Sequence, residues 1–382
     1  MRGQAGLVAR LAESTSAGDP RLFAAFARVD RGRFVPGRIW VDDESGGYRP
    51  LERSEDEHTW SRWVYADHPV VTQVDDGRES GIGRVATSSA SQPSLVLAML
   101  DQLDPAEGLR VLEVGAGTGY NAALLCSLLG NGNVTTVEID QHVADSARAA
   151  LDRAGFQPTV VTGDGAGGYQ PDAPYDRVIA TYAVRRVPYA WLAQCRPGAV
   201  IVTPWGTPYD NHGLLRLVVG SDGTASGRLA GSVNFMWDRR QRPADGLIRD
   251  IALDEHEPAR STTRTDPRDV LNQHAAFTIG LRVPDCRERT VHAPDASGRF
   301  TRWLLATDRG SWAAVSHQPG QTSWEVEQYG PRRLWDEVEA AYAWWTNTGR
   351  PERERFGVTV SPDSQWVWLD HRDSEHRWQI PR

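Results

Sequence analysis

One short segment constrains the fold of this chain more than any other: a glycine-rich turn between a predicted strand and a predicted helix. Apolar residues at 109–114 predict the strand, Gly115-Ala-Gly-Thr-Gly119 predicts the turn, and residues 120–129 predict the helix. Glycines let the backbone approach a ligand closely, and a helix N-terminus attracts negative charge. The segment is therefore typical of a nucleotide-binding turn in a parallel α/β sheet.

Acidic residues near this turn indicate which nucleotide it binds. A second predicted strand, at 134–139, carries Glu138 about 20 residues beyond the turn, where an acid binds ribose hydroxyls. The glycine spacing is G-x-G-x-G rather than the G-x-G-x-x-G of dinucleotide sites, and Glu113 lies two residues before the first glycine. A carboxylate at this place suits an ammonium and a sulfonium better than a pyrophosphate. The pattern favours S-adenosylmethionine over NAD.

The order of predicted elements indicates an α/β fold. After the turn come a helix at 141–154 and strands near 159–162, 176–180, 199–203 and 214–219. We expect a Rossmann-like core of the class I S-adenosylmethionine methyltransferase type at residues 89–236. Residues 1–88 are predicted to be a helical and loop segment of the same methyltransferase unit, with a helix at 22–29 and a loop at 42–57.

The remaining residues, 237–382, are predicted to form an added C-terminal α+β domain rich in Trp. A charged connection at 238–268 precedes two hairpins and a helix after Pro331. Ten of the 15 Trp lie after Val233, so this part buries a core or presents an aromatic surface. Trp344 and Trp345 cannot face the same side of a helix, which predicts that one of them is exposed to a partner.

Composition excludes several classes of function. All 42 basic residues of the Lys+Arg count are Arg, which excludes Schiff-base enzymes, Walker-type phosphate loops and kinases, because each needs a Lys amine. A net charge of −8 argues against nucleic acid as a partner. No apolar run is long enough for a bilayer and no signal-peptide region is seen, so we expect a cytoplasmic protein. Three distant Cys fit neither a disulfide framework nor a metal site.

Five stretches, in order, resemble motifs of the protein-L-isoaspartate O-methyltransferase family over roughly residues 22–210. They are Val29-Asp-Arg-Gly-Arg-Phe-Val-Pro36; Ser91-Gln-Pro93 with Val96-Leu-Ala-Met-Leu100; the glycine turn; Gly163-Asp-Gly165; and Pro174-Tyr-Asp176 with Arg196-Pro-Gly198 and Pro204-Trp-Gly206. The chain departs from the family in Ser88-Ser-Ala-Ser91, in Tyr182-Ala-Val-Arg185 and in its long tail.

The resemblance implies S-adenosylmethionine-dependent methylation of an aspartyl or isoaspartyl carboxylate in a polypeptide, with closure of the ester to a succinimide. By position, Ser91 matches the catalytic serine, Glu138 the ribose-binding acid and Asp164-Gly165 the adenine segment. The predicted cofactor-binding residues are Glu113, Gly115, Ala116, Gly117, Thr118, Gly119, Glu138, Ile139, Asp164 and Gly165. The predicted substrate-binding residues are Ser88, Ser89, Gln92, Tyr182 and Arg185, and no metal is expected. Since Lys is absent, an anionic substrate must be held by Arg.

Several alternatives stay open at this point. The tail and the altered pocket favour a dedicated enzyme acting on a ribosomally made, possibly cyclised, precursor peptide, because long actinobacterial-type members resemble such tailoring enzymes. The alternative is general repair of isoaspartyl damage. Two rival hypotheses remain. One, from a different class of protein, is a non-catalytic peptide scaffold that binds S-adenosylmethionine, and the other is a nicotinamide-dependent dehydrogenase. Ser91 has a structural alternative as well, because it could cap the helix predicted at 94–103.

Overall fold

The computed structural model of the chain describes residues 3–14, 18–44, 46–78, 81–243, 248–253 and 255–381. Its helices are α1 (Gln4–Ser14), α2 (Pro20–Arg28), α3 (Glu57–Val64), α4 (Pro93–Leu103), α5 (Tyr120–Leu129), α6 (Gln141–Ala154), α7 (Tyr189–Ala193), α8 (Gln273–Arg282) and α9 (Leu334–Asn347). Its strands are β1 (Arg38–Asp42), β2 (Tyr48–Glu52), β3 (Val70–Val74), β4 (Ala86–Ala90), β5 (Val111–Val114), β6 (Val134–Glu138), β7 (Thr159–Thr162), β8 (Tyr175–Ala180), β9 (Cys195–Trp205), β10 (Gly213–Val219), β11 (Ala225–Ser232), β12 (Ala259–Thr263), β13 (Cys286–His292), β14 (Phe300–Ala306), β15 (Trp312–His317), β16 (Trp324–Tyr329), β17 (Phe356–Val360), β18 (Gln365–Leu369) and β19 (Arg377–Gln379). Within the described ranges, no helix has the length and apolar character needed to cross a membrane.

A ten-stranded sheet forms the centre of the molecule, in the order β19-β18-β17-β11-β10-β9-β8-β5-β6-β7. The strands from β9 to β7 in this order are parallel. Every residue of β5 and β6 is buried, which is typical of a parallel sheet covered on both faces. The chain continues from β5 to β6 on one side and later returns to β8 on the other, so the end of β5 is a switch point where such sheets bind ligands. The predicted α/β fold with a Rossmann-like core is confirmed.

The N-terminal part contains more strands than the sequence predicts. Within the predicted loop at 42–57, β2 pairs with β1 as a hairpin, and β3 and β4 extend the pair to a four-stranded antiparallel sheet. The hairpin escaped prediction because β2, an edge strand, buries one residue, Leu51, and otherwise carries exposed or half-buried side chains. Residue 45 of that predicted loop lies outside the described residues. The helix predicted at 22–29 is α2.

The C-terminal part has the predicted α+β character and buries a core of its own. Strands β12 to β16 form a five-stranded antiparallel sheet, against which α8 and α9 pack. Trp335 and Trp345 lie in that core. Trp344 is half-buried, with its ring 5.5 Å from the ring of Trp378 and the Arg282 guanidinium stacked over it at 4.7 Å. Of the two Trp residues, Trp344 is therefore the more exposed one, and side chains of this chain cover part of its indole.

The boundary predicted at residue 236 does not separate two independent sheets. After α9 the chain returns to the central sheet, where β17 pairs with β11 and is followed by β18 and β19. The sequence misled here because 238–268 has the composition of a linker, whereas pairing between distant strands leaves no local signal. Residues 244–247 and 254 of that stretch lie outside the described residues.

Candidate active site

One pocket brings together most of the predicted site residues. It lies at the end of β5 and is enclosed by β4, the glycine turn, the ends of β6 and β8, and the segment 235–239. The predicted residues that line it are Ser88, Ser89, Ser91, Gly115, Ala116, Gly117, Thr118, Glu138, Ile139, Asp164, Gly165 and Tyr182. The predicted residues that do not line it are Glu113, Gly119, Gln92 and Arg185.

Backbone geometry explains the glycines of the turn. Gly115 has a φ of +96°, and a Cβ atom there would lie 2.4 Å from Oγ1 of Thr181. Its N–H donates to the carbonyl of Val137 at 2.8 Å, which ties the turn to β6. Gly119, with a φ of +83°, precedes α5 and packs against Leu151, so it shapes the turn without reaching the pocket.

Glu138 is held in one orientation at the end of β6. Its Oε2 accepts the N–H of Gly117 at 3.0 Å, and its Oε1 accepts the N–H of Asp140 at 3.1 Å. The next residue, Ile139, is 46% exposed and lines the pocket, although it is a large apolar side chain. A fixed carboxylate beside an uncovered apolar wall suits a ribose next to a purine ring.

Asp164 and Gly165 form the opposite wall of the pocket. A Cβ on Gly165 would lie 2.1 Å from Cγ1 of Val114, so glycine is required where the turn crosses β5. Asp164 accepts the N–H of Ala166 at 3.0 Å and forms an ion pair with Arg240. At both glycines the space that a Cβ would need is already filled by side chains of this chain, so the backbone packs closely at two edges of the pocket.

Tyr182 stands between these two glycines. Its ring carbon Cδ1 would lie 3.1 Å from a Cβ on Gly115, and its hydroxyl 3.1 Å from a Cβ on Gly165. Burial, followed by the charges of Asp238 and Asp164, raises the pKa of the Tyr182 hydroxyl well above its ordinary value. The hydroxyl is therefore a protonated donor at neutral pH. Tyr182 therefore lines the pocket beside both glycines.

Glu113 lies beneath the glycine turn rather than in the pocket. It is fully buried, and its carboxylate accepts hydrogen bonds from Nδ2 of Asn121 at 2.7 Å and from Oγ1 of Thr136 at 2.5 Å. Burial raises the pKa of Glu113 to about 7, although both hydrogen bonds oppose the shift. The structure places this residue as a link between β5, β6 and α5, not as a direct ligand of a bound molecule.

Ser91 presents an unengaged hydroxyl to the pocket. Its side chain makes no hydrogen bond with any described residue, so it does not cap the following helix. The N–H of Ser94 in the first turn of α4 is instead accepted by Oδ1 of Asp67 at 2.9 Å. Gln92 turns away from the pocket and donates to Asp67 and to Oγ of Ser94. A hydroxyl that is free to donate is what a positioning role requires.

Arg185 lies outside the pocket, where the sequence predicted a substrate contact. Ala183 pairs with Trp237, and Val184 pairs with Trp205, which directs the next side chain toward the C-terminal part. There Nη2 of Arg185 lies 2.8 Å from Oδ1 of Asp285. The prediction is corrected by this placement: the guanidinium joins two parts of the chain and does not face a ligand.

A wall of the pocket that the sequence did not predict comes from residues 235–239. Phe235, Met236 and Trp237 supply apolar surface, and Asp238 and Arg239 supply charge. In the sequence this segment resembles the start of a charged linker, and the one available signal was an aromatic residue followed directly by three charged ones. Long-range pairing of Trp237 with Ala183 carries the segment to the pocket.

The charges in the pocket favour a cationic ligand. Three carboxylates line the pocket, those of Glu138, Asp164 and Asp238, and Arg239 is the one cationic side chain among the described lining residues. Asp164 is paired with Arg240, and Arg239 contacts Asp76, Asp140 and Gln73 at 3.3 Å each. The described residues offer no cluster of His, Cys, Asp or Glu that could hold a metal ion.

Comparison with known proteins agrees with this geometry. The family described as protein-L-isoaspartate(D-aspartate) O-methyltransferase (PCMT) matches residues 53–237. A protein-L-isoaspartate O-methyltransferase of Methanosarcina mazei is 34% identical over 220 residues, which cover 57% of this chain and 76% of that protein. The chain belongs to the protein-L-isoaspartate O-methyltransferase family.

Two further matches complete the comparison. The corresponding enzyme of Methanopyrus kandleri is 45% identical over 134 residues, which cover 34% of this chain and only 57% of that protein. A solved protein-L-isoaspartate O-methyltransferase structure superposes with a TM-score of 0.54 at 20% identity, covering 96% of this chain and 100% of the other. That likeness shows a shared fold which includes the C-terminal part.

The family assignment confirms three predictions. The chain belongs to a family of S-adenosylmethionine-dependent protein carboxyl methyltransferases, it has the class I methyltransferase fold, and S-adenosylmethionine is the cofactor of the family. The pocket fits that cofactor, because its lining combines the glycine turn, a fixed acid at Glu138, the apolar side chain of Ile139 and more carboxylates than cations.

Proposed function

We propose that this protein methylates the side-chain carboxylate of an isoaspartyl or aspartyl residue in a polypeptide. The observation that carries the proposal is the free hydroxyl of Ser91 in the same pocket as the glycine turn and Glu138. β4, which ends beside Ser91, contacts the glycine turn, since the carbonyl of Ser89 is the nearest atom to a Cβ built on Gly117, at 3.6 Å. The two halves of the site thus adjoin.

S-adenosylmethionine would be held by Glu138, Ile139, Asp164 and the glycine turn, and it supplies the methyl group. The pocket lining needs no strong base, because an aspartyl carboxylate is ionised at neutral pH and is already nucleophilic. The work left to the protein is positioning. In the proposal, the Ser91 hydroxyl donates to one carboxylate oxygen, and the other oxygen attacks the methyl group with S-adenosylhomocysteine as the leaving group. The methyl ester then closes to a succinimide without the enzyme, because a neighbouring backbone amide nitrogen attacks the ester carbonyl, loses its proton and expels methanol.

General action on isoaspartyl residues is the substrate range that the comparisons favour. The named relatives are protein-L-isoaspartate O-methyltransferases, and the solved structure of that name shares the fold of 96% of this chain. A C-terminal extension is therefore no argument for a dedicated peptide, although the sequence suggested one. Tailoring of a precursor peptide and a cytoplasmic location stay predictions. Tyr182 and the segment 235–239 are the features of this pocket that would narrow its substrate range.

The test compares two synthetic hexapeptides that differ only in whether one residue is aspartyl or isoaspartyl, with a cyclic precursor-type peptide as a third substrate. We expect the isoaspartyl peptide to gain the mass of one methyl ester and the aspartyl isomer to gain little. The Ser91→Ala variant, purified in parallel, is the matched control for the role of the serine hydroxyl. We expect its kcat to be about 10- to 100-fold lower. Preferred methylation of the cyclic peptide would favour the tailoring role.

Two further outcomes are decisive, the first against the proposed activity and the second against the role of Ser91. Binding of S-adenosylmethionine in calorimetry with no methyl transfer to any peptide would favour the non-catalytic scaffold. Full activity of Ser91→Ala would remove Ser91 from the mechanism and leave the carboxyl methyltransferase activity in place.

A further inference from the structure

Arg31 has a completely buried guanidinium that forms no ion pair with a carboxylate of the described residues. Its exposed fraction is 0%, and both Nη atoms donate to backbone oxygens. Nη1 donates to two carbonyls and Nη2 to three, namely those of Val64 (2.6 Å), Ala66 (3.3 Å), His68 (3.0 Å), Ala90 (3.0 Å) and Ser91 (2.9 Å). One side chain therefore ties the end of α3 and the turn after it to the end of β4.

Burying the charge of Arg31 without an ion pair costs free energy, so other groups must stabilise the guanidinium. Burial lowers the pKa of Arg31 to about 10, which still leaves the side chain charged at neutral pH, and its Nε has no hydrogen-bond partner. A buried charge is tolerated only where fixed dipoles replace water around it. The five carbonyls do this, and two of them belong to the residues that lead into the active site.

Asp67 lies between two of the carbonyls that Arg31 holds, those of Ala66 and His68. Its Oδ1 accepts the N–H of Ser94, and its Oδ2 lies 3.3 Å from Nε2 of Gln92. Asp67, from a distant turn, thus accepts a backbone N–H at the start of α4. The N-cap residue of this helix makes no side-chain capping hydrogen bond. Because Asp67 performs this task, the hydroxyl of Ser91 is not used for it.

We propose that Arg31 and Asp67 are positioning residues for Ser91: Arg31 fixes the Ser91 carbonyl, and Asp67 caps α4 so that the Ser91 hydroxyl stays free for the substrate carboxylate. Neither residue lines the pocket, so neither touches cofactor or substrate. The inference rests on the proposed function of Ser91. A positioning role differs from a merely structural one, because Arg31 and Asp67 would affect catalysis through the Ser91 hydroxyl alone.

The test is a double-mutant cycle on kcat with an isoaspartyl hexapeptide. Arg31→Lys keeps the charge but offers a single ammonium to five carbonyls, and we expect it to lower kcat by about tenfold at unchanged affinity for S-adenosylmethionine. In the Ser91→Ala background the same substitution should change kcat by less than about twofold, because the hydroxyl it positions is gone. Equal losses in both backgrounds would overturn the proposal.

A matched control separates stability from positioning. Arg353 is also buried, at 2% exposed, and donates to backbone carbonyls of His212 and Gln273, which do not line the pocket. Arg353→Lys should lower the unfolding temperature as Arg31→Lys does, with kcat unchanged at a temperature where both variants are folded. Should Arg31→Lys fail to fold, Asp67→Asn enters the same cycle, with the same expected dependence on Ser91.

A second readout does not depend on turnover. Hydrogen exchange of residues 86–97 should be faster in Arg31→Lys than in the wild type, while calorimetry shows unchanged cofactor binding. Unchanged exchange in this segment would overturn the positioning role even if no peptide were methylated. Lack of turnover by the wild type would contradict the proposed function instead, and full activity of Ser91→Ala would remove Ser91 and the positioning proposal together.

Discussion

Nη2 of Arg353 lies 3.0 Å from Oδ2 of Asp210, and both side chains are almost completely buried. Asp210 follows β9 of the central sheet, and Arg353 lies between α9 and β17. The same guanidinium also donates to the carbonyls of His212 and Gln273. The C-terminal part is therefore locked to the methyltransferase core by a buried ion pair as well as by strand pairing.

Breaking this pair should destabilise the whole chain. Arg353→Met leaves the buried Asp210 carboxylate with only the contact from Nδ1 of His212 at 2.8 Å, and we expect a loss of about 3 kcal/mol of unfolding free energy. Arg355→Gln is the control, because its pair with Asp370 is about half exposed and contributes at most about 1 kcal/mol. Denaturant unfolding followed by tryptophan fluorescence measures both. Equal effects of the two substitutions would contradict the locking role of Arg353.

Substitution of Glu138 should weaken cofactor binding. Glu138→Gln keeps an acceptor for the Gly117 N–H but removes a negative charge from the pocket, and we expect a loss of about 1.5–3 kcal/mol, roughly 10- to 100-fold in Kd. Isothermal calorimetry with S-adenosylmethionine measures it. Asp145→Asn removes the same charge from an exposed position on α6 and should leave Kd unchanged. A similar Kd in both variants would indicate a purely structural Glu138.

Arg239, rather than Arg185, should affect the affinity for substrate. The Arg239 guanidinium lines the pocket and makes three contacts of 3.3 Å, and we expect an incoming carboxylate to compete for it. Arg239→Gln should raise the peptide KM by about tenfold, with kcat and cofactor Kd little changed. Arg185→Gln loses the contact with Asp285 and should leave KM unaltered. The reverse result would restore the role that the sequence predicted for Arg185.

Glu113 should make stability depend on pH. Its folded pKa of about 7 exceeds the ordinary value of 4.5, so between these values the folded chain holds a proton that the unfolded chain has released. Unfolding free energy therefore falls as pH rises from 4.5 to 7, by at most about 1.4 kcal/mol per pH unit, and no further change comes from this group above 7. Calorimetric melting of the wild type and Glu113→Gln, without cofactor, should show a difference that declines across this window. A constant difference between the two proteins across this pH window would show that Glu113 is ionised in the folded chain throughout it.

Local signals explain which parts of the fold were predictable. The bounds of α5 and α6 match the prediction to the residue, because Asp140 caps α6, Gly155 ends it, and the glycine turn precedes α5. The glycine turn and Glu138 sit on adjacent parallel strands whose ends must meet. Their presence in one pocket could therefore be expected from sequence.

Contacts between distant segments explain what could not be predicted. Nothing near Arg31 or Asp67 indicates that they meet at the entrance to α4, since Arg31 and Ser91 are 60 residues apart. The segment 235–239 is placed at the pocket by contacts with distant residues, among them the pairing of Trp237 with Ala183 and the hydrogen bond from Asn211 to the carbonyl of Phe235. Arg185 lies close to the pocket in sequence, but strand pairing directs its side chain elsewhere. Spacing along the chain identifies a binding turn, while the tertiary fold decides which side chains complete it.

The pairing of β11 with β17 has a consequence for biosynthesis. Arg228 in β11 donates to the carbonyl of Arg355, 127 residues further along the chain. During translation, β11 is synthesised long before β17, the strand that pairs with its edge. An uncovered edge pairs readily with other chains. We therefore expect nascent copies of this enzyme to depend on chaperones until residues 356–360 have left the ribosome.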